Sequence, residues 1–292
     1  MVLVVTDEKI PSLLYLWDKR TLYIGPLYEK LMLSQGAATL TVALDKPISF
    51  IDENMSQPIS CRSLLLPAGL SVTIDTQNAI VINCNLDALG RDYFALSHQM
   101  LHRRGGVAYE LKNEKEVINE FCAMRLAKKN SQAAYEQLDK ILADTGSNTF
   151  KIDSRVVDVV ERIKQTVDDN LSVEDLAGLV NLSVPRLVQL FKKQTGVPMR
   201  RFRLWHRLYV TALKMGQGVN LTQAAISAGF TDSSHFSHTF RDMLGMTPSA
   251  IFSQPNELKI MVPDTDQWCT NKKSQSIAIQ SIIAIVWLLK AC

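Results

Sequence analysis

Two groups of side chains in residues 172–248 combine residue types that contact DNA with the spacing of a helix face. Arginine and glutamine hydrogen-bond the edges of guanine and adenine, and cationic side chains pair with phosphates. The side chains expected to read bases are Pro185, Arg186, Val188, Gln189, Ser233, Ser234, His235 and His238. Those expected to hold phosphates are Lys192, Lys193, Arg200, Arg201, Arg203 and Arg241. The implied chemistry is recognition of a duplex, and no catalytic residue is predicted.

The two groups belong to a pattern of apolar and small residues that occurs twice. The first copy consists of Leu176, Ala177, Ser183, Leu187, Leu190, Phe191 and Gly196. The second consists of Ala225, Gly229, Phe230, Phe236, Phe240, Gly245, Thr247 and Pro248. Ala177 and Ala225 are 48 residues apart, whereas Phe191 and Phe240 are 49 apart, so one residue is added inside the second turn. The repeat predicts two helix-turn-helix units that fit successive major-groove segments.

Local signals predict the helices that this arrangement requires. Ser172 and Asp175 form a capping-box pattern, and Pro185 stands at a helix start, where its missing donor costs nothing. The predicted helices cover residues 173–180, 184–195, 199–215, 221–228 and 233–244. The long helix 199–215 joins the two units, and Trp205 on it is expected to be a core residue that holds both halves together.

The distribution of charge favours the same function. The 292 residues carry a net charge of +3, but residues 151–254 hold 13 Lys and Arg against 9 Asp and Glu, which leaves 19 against 20 elsewhere. No acidic residue lies between Asp175 and Asp232. A solvated face that only keeps a protein soluble usually mixes both signs, so a one-signed segment over the tandem helices indicates phosphate binding.

The rest of the chain has other patterns, and together they predict an α+β protein. Residues 1–95 contain short strands separated by turn signals, which predicts a small β-barrel or β-sandwich able to enclose one ligand. Residues 96–145 are predicted to be a helical dimerisation and linker region, with an amphipathic helical hairpin. Residues 255–292 are a tail whose apolar stretch 277–289 is short for a membrane span of about 20 residues. A docking helix is the favoured interpretation of that stretch, with peripheral membrane attachment and a non-functional extension as alternatives.

The composition argues against redox and metal chemistry. Five cysteines are scattered without a Cys-x-x-Cys pair, which fits a reducing cytosol, and the N-terminus has no signal-peptide pattern. His98 and His102 have the spacing of one helix face but lack a third ligand, so neither a metal nor a cofactor is expected. A DNA-repair adaptor would need a zinc-held, activated thiol, for which the sequence has no cysteine cluster.

Together these motifs resemble the AraC/XylS family of bacterial transcription regulators. The strongest match is the segment 229–248, and the resemblance covers about a third of the chain. It implies a non-enzymatic cytoplasmic regulator of activator type that binds promoter DNA and contacts RNA polymerase. It also implies an N-terminal sensing and dimerisation domain, often cupin-like, with a small-molecule effector and a homodimer.

Two positions depart from the pattern of that family. Gln189 and His238 stand where arginine is usual, and each change removes a positive charge from a reading helix. The DNA sequence preference is therefore expected to differ. A sequence-tolerant architectural protein is the alternative function, although such proteins bind through wedges or basic arms rather than two ordered reading helices.

Overall fold

The structure, a computed structural model, describes residues 11–27, 30–33, 36–143, 151–169, 171–244 and 258–261. Within these ranges the N-terminal half is built mainly of strands and the C-terminal half of helices, so the predicted α+β class is confirmed. Residues 245–254 of the predicted DNA-binding domain and the apolar stretch 277–289 lie outside the described residues. No helix in the described part of the chain is both long and apolar enough to cross a membrane.

The strands of the described residues form two sheets. They are β1 Ser12–Leu16, β2 Thr21–Pro26, β3 Leu31–Leu33, β4 Thr39–Ala43, β5 Ile48–Ile51, β6 Ile59–Cys61, β7 Ser63–Leu66, β8 Val72–Asp75, β9 Ile80–Asn85, β10 Met100–Arg104, β11 Val107–Leu111 and β12 Leu258–Met261. The larger sheet has the order β10-β11-β7-β4-β9-β2-β1-β12, and the smaller has the order β3-β8-β5-β6. All pairs are antiparallel except β1 with β12. The sandwich form of the prediction is confirmed, since the described strands leave two open sheets and no closed barrel.

Alternation along the strands builds two layers of core. On β7, Leu64 and Leu66 join a buried cluster with Phe50 and Ile74 of the smaller sheet, so this cluster fills the space between the sheets. Leu65 points the other way, into a second cluster on the outer face of the larger sheet. This is the period-2 pattern of a sheet that is covered on both faces.

Helices cover that outer face. They are α1 Arg91–Ser97, α2 Glu114–Ala127 and α3 Ser131–Leu142. Phe121, Met124 and Leu138 of the predicted amphipathic stripe are buried in the second cluster, so the stripe packs inside its own chain. The prediction of a helical region from residue 96 is wrong at its start, because β10 and β11 form a hairpin there. His102 lies on β10 and His98 follows α1, so the two do not share a helix face.

The C-terminal half contains the helices that the repeat predicts. They are α4 Ser154–Gln165, α5 Val173–Leu179, α6 Val184–Thr195, α7 Met199–Gly216, α8 Leu221–Ser227 and α9 Ser233–Leu244. Helices α5 and α6 form the first unit, α8 and α9 form the second, and α7 joins them. The predicted and observed ends agree within one residue for each of these five helices.

The two halves of the chain touch at several places, and α4 and α7 provide two of them. The ammonium of Lys164 on α4 lies 3.0 Å from the Asp18 carboxylate of the N-terminal half. Trp205 packs so closely on Gly36 that a Cβ there would lie 2.7 Å from the Cβ of Trp205. His206 is buried beside these contacts, and burial lowers its pKa to about 4, so the imidazole is neutral at pH 7.

Candidate DNA-binding site

The first helix-turn-helix unit is held by a cap and by an aromatic pair. The Ser172 hydroxyl accepts a hydrogen bond from the Asp175 N–H at 3.0 Å, and the Asp175 carboxylate accepts one from the Ser172 N–H at 3.1 Å. This confirms the predicted capping box. On α6, Phe191 is fully buried and its ring lies 5.7 Å from that of Phe202 on α7. Because α6 buries this face, its opposite face points to solvent.

The exposed face of α6 presents every base-reading side chain predicted for the first unit. These side chains are Pro185, Arg186, Val188 and Gln189. The Arg186 guanidinium donates a hydrogen bond to the Gln189 amide oxygen at 3.1 Å. The two side chains are therefore already oriented toward each other, with donors left over on both. Val188 is an exposed apolar residue of the kind that can contact a thymine methyl.

The second unit is positioned by a glycine and an aspartate. Gly229 has φ of 88°, a left-handed conformation that ends α8 and begins the turn. The Asp232 carboxylate then accepts a hydrogen bond from the His235 N–H at 2.7 Å and caps α9. Hydrogen bonds from the His235 backbone and the Thr231 hydroxyl lower the pKa of Asp232. Asp232 was not predicted to be a cap, although an aspartate three residues before the capped N–H is a recognised signal.

The side chains predicted to read bases on α9 differ in accessibility. Ser234 and His238 are exposed, whereas Ser233 and His235 are partly buried. The His235 ring lies 5.2 Å from the Phe230 ring, and its Nδ1 is 3.2 Å from the Thr231 hydroxyl. His235 is thus held against the turn, and Ser234 with His238 forms the freer part of this face.

The predicted phosphate contacts fall into two groups. Lys192, Lys193, Arg200 and Arg241 are exposed. Arg201 is partly buried, with Nη1 3.9 Å from the Asp242 carboxylate of α9 and with Nε and Nη2 buried without a hydrogen-bond partner in the described residues. Arg203 is partly buried as well, and burial followed by the charge of Arg207 lowers its pKa. The exposed four are therefore better placed for phosphates than Arg201 and Arg203.

Helix α7 joins the units through its two ends. Phe202 belongs to the core of the first unit, and Leu208 and Met215 belong to the cluster that contains the core of the second. Trp205 was predicted to hold both halves of the DNA-binding domain together. It is partly buried against the cluster that contains the core of the second unit, and it also packs against the N-terminal half at Gly36, a contact that no signal within the repeat could have indicated.

The described residues contain neither a cluster of metal ligands nor a cysteine with a lowered thiol pKa. No group of three or more His, Cys, Asp or Glu in the described ranges could hold a metal ion. Cys61, Cys84 and Cys122 are buried free cysteines. Burial, followed by the charges of Glu114 and Glu110, raises the pKa of Cys61 to about 12.

We expect these three thiols to resist alkylation in the native protein. A thiol with a pKa near 12 is almost entirely protonated at pH 8, and the thiolate is the reactive form. A Cys269→Ser/Cys292→Ser variant isolates the three buried cysteines for measurement by mass spectrometry after iodoacetamide treatment. We expect complete labelling only after unfolding, and rapid native labelling of any of the three would restore the reactive-thiol alternative.

Comparison with known proteins identifies the helical half. A family model described as a helix-turn-helix domain matches residues 176–254. The transcriptional activator RhrA of Rhizobium meliloti is 30% identical over 100 residues, which cover 33% of this chain and 32% of RhrA. The probable transcriptional regulator LumQ of Photobacterium leiognathi is 31% identical over 88 residues, which cover 30% of this chain and 36% of LumQ. The chain thus spans about a third of each curated relative that it matches.

Solved structures match most of the chain in fold. Apo ToxT from Vibrio cholerae has a TM-score of 0.55 at 12% identity, and the match covers 80% of this chain and 97% of that one. ToxT from Vibrio cholerae O395 has a TM-score of 0.52 at 14% identity, with 80% and 96% covered. At such identities the likeness concerns the fold, and it extends to the strand-rich N-terminal half.

Two exposed helix faces, a shared connecting helix and the matched domain define a tandem helix-turn-helix DNA-binding domain. Through this domain the chain is similar to bacterial transcription regulators that contain a helix-turn-helix domain.

Proposed function

We propose that the chain is a sequence-specific regulator of transcription that places α6 and α9 in two successive segments of the major groove. The observations that carry this proposal are the exposed reading faces of α6 and α9 and the absence of acidic residues between Asp175 and Asp232, a segment that contains α6, α7 and α8. Exposed cations at the end of α6 and the start of α7 position the duplex, and the reading faces select its sequence. Action as a cytoplasmic homodimer that contacts RNA polymerase is part of the proposal.

We further propose that a small molecule bound in the N-terminal half regulates this activity. A ToxT structure with a bound unsaturated fatty acid shares the fold, at a TM-score of 0.50 and 13% identity. In this chain, the buried cluster between the two sheets is continuous with residues of α7 and α9, including Leu208 and Phe236. A ligand inserted between the sheets would therefore displace side chains that pack against the DNA-binding domain.

Selection from random duplexes by the full chain tests the proposal directly. We expect one motif with two boxes whose centres lie about one helical turn, or 10 base pairs, apart. Enrichment of a single box would show that α9 contacts only the backbone. Failure to enrich any sequence, with binding that vanishes at moderate salt, would favour the architectural alternative.

Substitutions in the first unit test the division between reading and positioning. Gln189→Ala is expected to relax base preference at one position of the motif, with about a tenfold loss of discrimination there. Arg200→Ala is expected to weaken binding to all duplex sequences by the same factor. It should also reduce the magnitude of the slope of log K against log salt concentration by about one. Both are measured by titration of the selected duplex and its single-base variants. Identical effects from the two substitutions would contradict this division of roles.

A further inference from the structure

The last described strand belongs to the sheet at the other end of the sequence. β12 follows the second helix-turn-helix unit, yet it lies parallel to β1, with Ser12 paired to Leu258 and Tyr15 to Met261. Met261 also packs against the cluster beneath α2 and α3. The DNA-binding domain is therefore connected to the N-terminal half at both of its ends, by the chain that precedes α4 and by β12.

The edge that β12 covers is poorly suited to face water. β1 has the sequence Ser-Leu-Leu-Tyr-Leu, without a charge or a proline, and all but Leu14 are buried. The opposite edge of the same sheet, β10, carries exposed His102, Arg103 and Arg104. Charged side chains protect an open edge against pairing with other chains, and an uncharged apolar edge needs a cover. The charge and burial of the two edge strands are thus those expected when β1 is paired with another strand and β10 is open to solvent.

Other contacts hold the DNA-binding domain on the same side of the sandwich. Strand β3 of the smaller sheet lies beside α9. Lys164 pairs with Asp18, and Gly196 at the end of α6 sits so close to the N-terminal half that a Cβ would be 3.2 Å from the Cβ of Ala68. The pairing of β12 adds a backbone link to these contacts and to the buried cluster that the sheets share with Leu208 and Phe236.

We propose that β12 is a latch, a strand whose pairing with β1 helps to hold the DNA-binding domain against the N-terminal sandwich and whose release frees the domain to move away. Because β3 lies beside α9, the latched arrangement fixes the second reading helix relative to the sandwich and limits how far α9 can shift to fit the major groove. Release of β12 therefore raises the population that can bind DNA. This second consequence rests on the proposed function, whereas the latch itself does not.

A pair of backbone substitutions tests the latch in the full chain. Successive residues of a strand direct their N–H groups to opposite sides, so one of any two adjacent residues of β12 donates toward β1. Lys259→Pro with Ile260→Pro removes that donor whichever residue carries it. Lys259→Thr with Ile260→Val is the matched control, since both replacements favour strands and keep their N–H groups.

Hydrogen exchange followed by mass spectrometry gives the first readout. In the proline variant we expect exchange at least about tenfold faster in β1 and in the interdomain contacts of residues 36–38 and 199–209, with the control unchanged. Unchanged exchange in β1 would show that β12 does not cover that edge. Faster exchange in β1 alone would show that β12 covers the edge without holding the domain. Either result overturns the latch.

Titration with the selected duplex gives the second readout. We expect the proline variant to bind about tenfold more tightly than the control, with the same salt slope, because the phosphate contacts are unaltered. Equal affinities would overturn the link between the latch and DNA. Absence of DNA binding in every variant, together with the expected exchange pattern, would reject the proposed function while leaving the latch in place.

Discussion

Replacing Lys192, Lys193 and Arg200 together by alanine is expected to weaken DNA binding by about ten- to a hundredfold. The magnitude of the slope of log K against log salt concentration should fall by about three. All three side chains are exposed, and none forms an ion pair within the part of the chain that the structure describes. Each Lys or Arg that pairs with a phosphate releases a counterion that was condensed on the DNA. The slope of log K against log salt concentration therefore reports the number of phosphate contacts, which the affinity at one salt concentration does not. The measurement is a titration of the selected duplex at several salt concentrations.

A matched variant separates local contacts from the overall charge. Alanine at Lys112, Lys115 and Lys140 removes the same charge from exposed positions of the N-terminal half. We expect it to leave the slope unchanged, because exposed charges beyond a Debye length of about 10 Å are screened. An equal loss of slope in both variants would mean that DNA is attracted by the net charge of the chain. The proposed phosphate contacts would then be wrong.

Alanine at Gly229 is expected to destabilise the second unit by about 2–4 kcal/mol, through both strain and overlap. The φ of 88° is unfavourable for alanine, and a Cβ there would lie 2.8 Å from the Val167 carbonyl oxygen and from Nε of Arg207. The carbonyl is backbone, and the guanidinium already donates to it at 3.1 Å, so neither group can move cheaply. Chemical denaturation followed by circular dichroism measures the change, and DNA binding should fall with it.

Gly178 provides the control for this substitution, because it lies in α5 with open space around the position of a Cβ. Gly178→Ala is expected to stabilise the protein by about 0.5–1 kcal/mol, since alanine restricts the unfolded chain and favours a helix. One chemical change should thus have opposite effects at two glycines of the same domain. Destabilisation of similar size at both would indicate that the turn geometry at Gly229 is not the cause.

The DNA-binding helices were predictable because their signals are local. The Ser172 and Asp175 cap, Pro185 at the start of α6 and Gly229 in the second turn each fix the backbone within a few residues. A repeat of apolar positions then assigns the buried face without knowledge of the rest of the chain. For the same reason the exposed faces of α6 and α9 could be named from the sequence.

Features that depend on distant contacts were missed. Strand β10 has four exposed residues of five, so it lacks the alternation of a half-buried strand and is defined by its pairing with β11. In the sequence, Arg201 has the pattern of an exposed cation that is free to bind a phosphate. The structure places its Nη1 3.9 Å from the Asp242 carboxylate on α9, a contact that the local sequence does not indicate. The pairing of β12 with β1 is likewise invisible to local pattern, because parallel strands carry no turn signal between them.

The position of β12 also has a consequence for how the chain is made. From Ser12 to its partner Leu258 the separation is 246 residues. At about 5–20 residues per second, a ribosome needs roughly 12–50 s to extend the chain that far. Until then the N-terminal sandwich can form all of its strand pairs except the pairing of β1 with β12. Among the described residues no other strand pairs with that edge of β1, so we expect this uncharged edge to be where nascent chains on one polysome pair with one another.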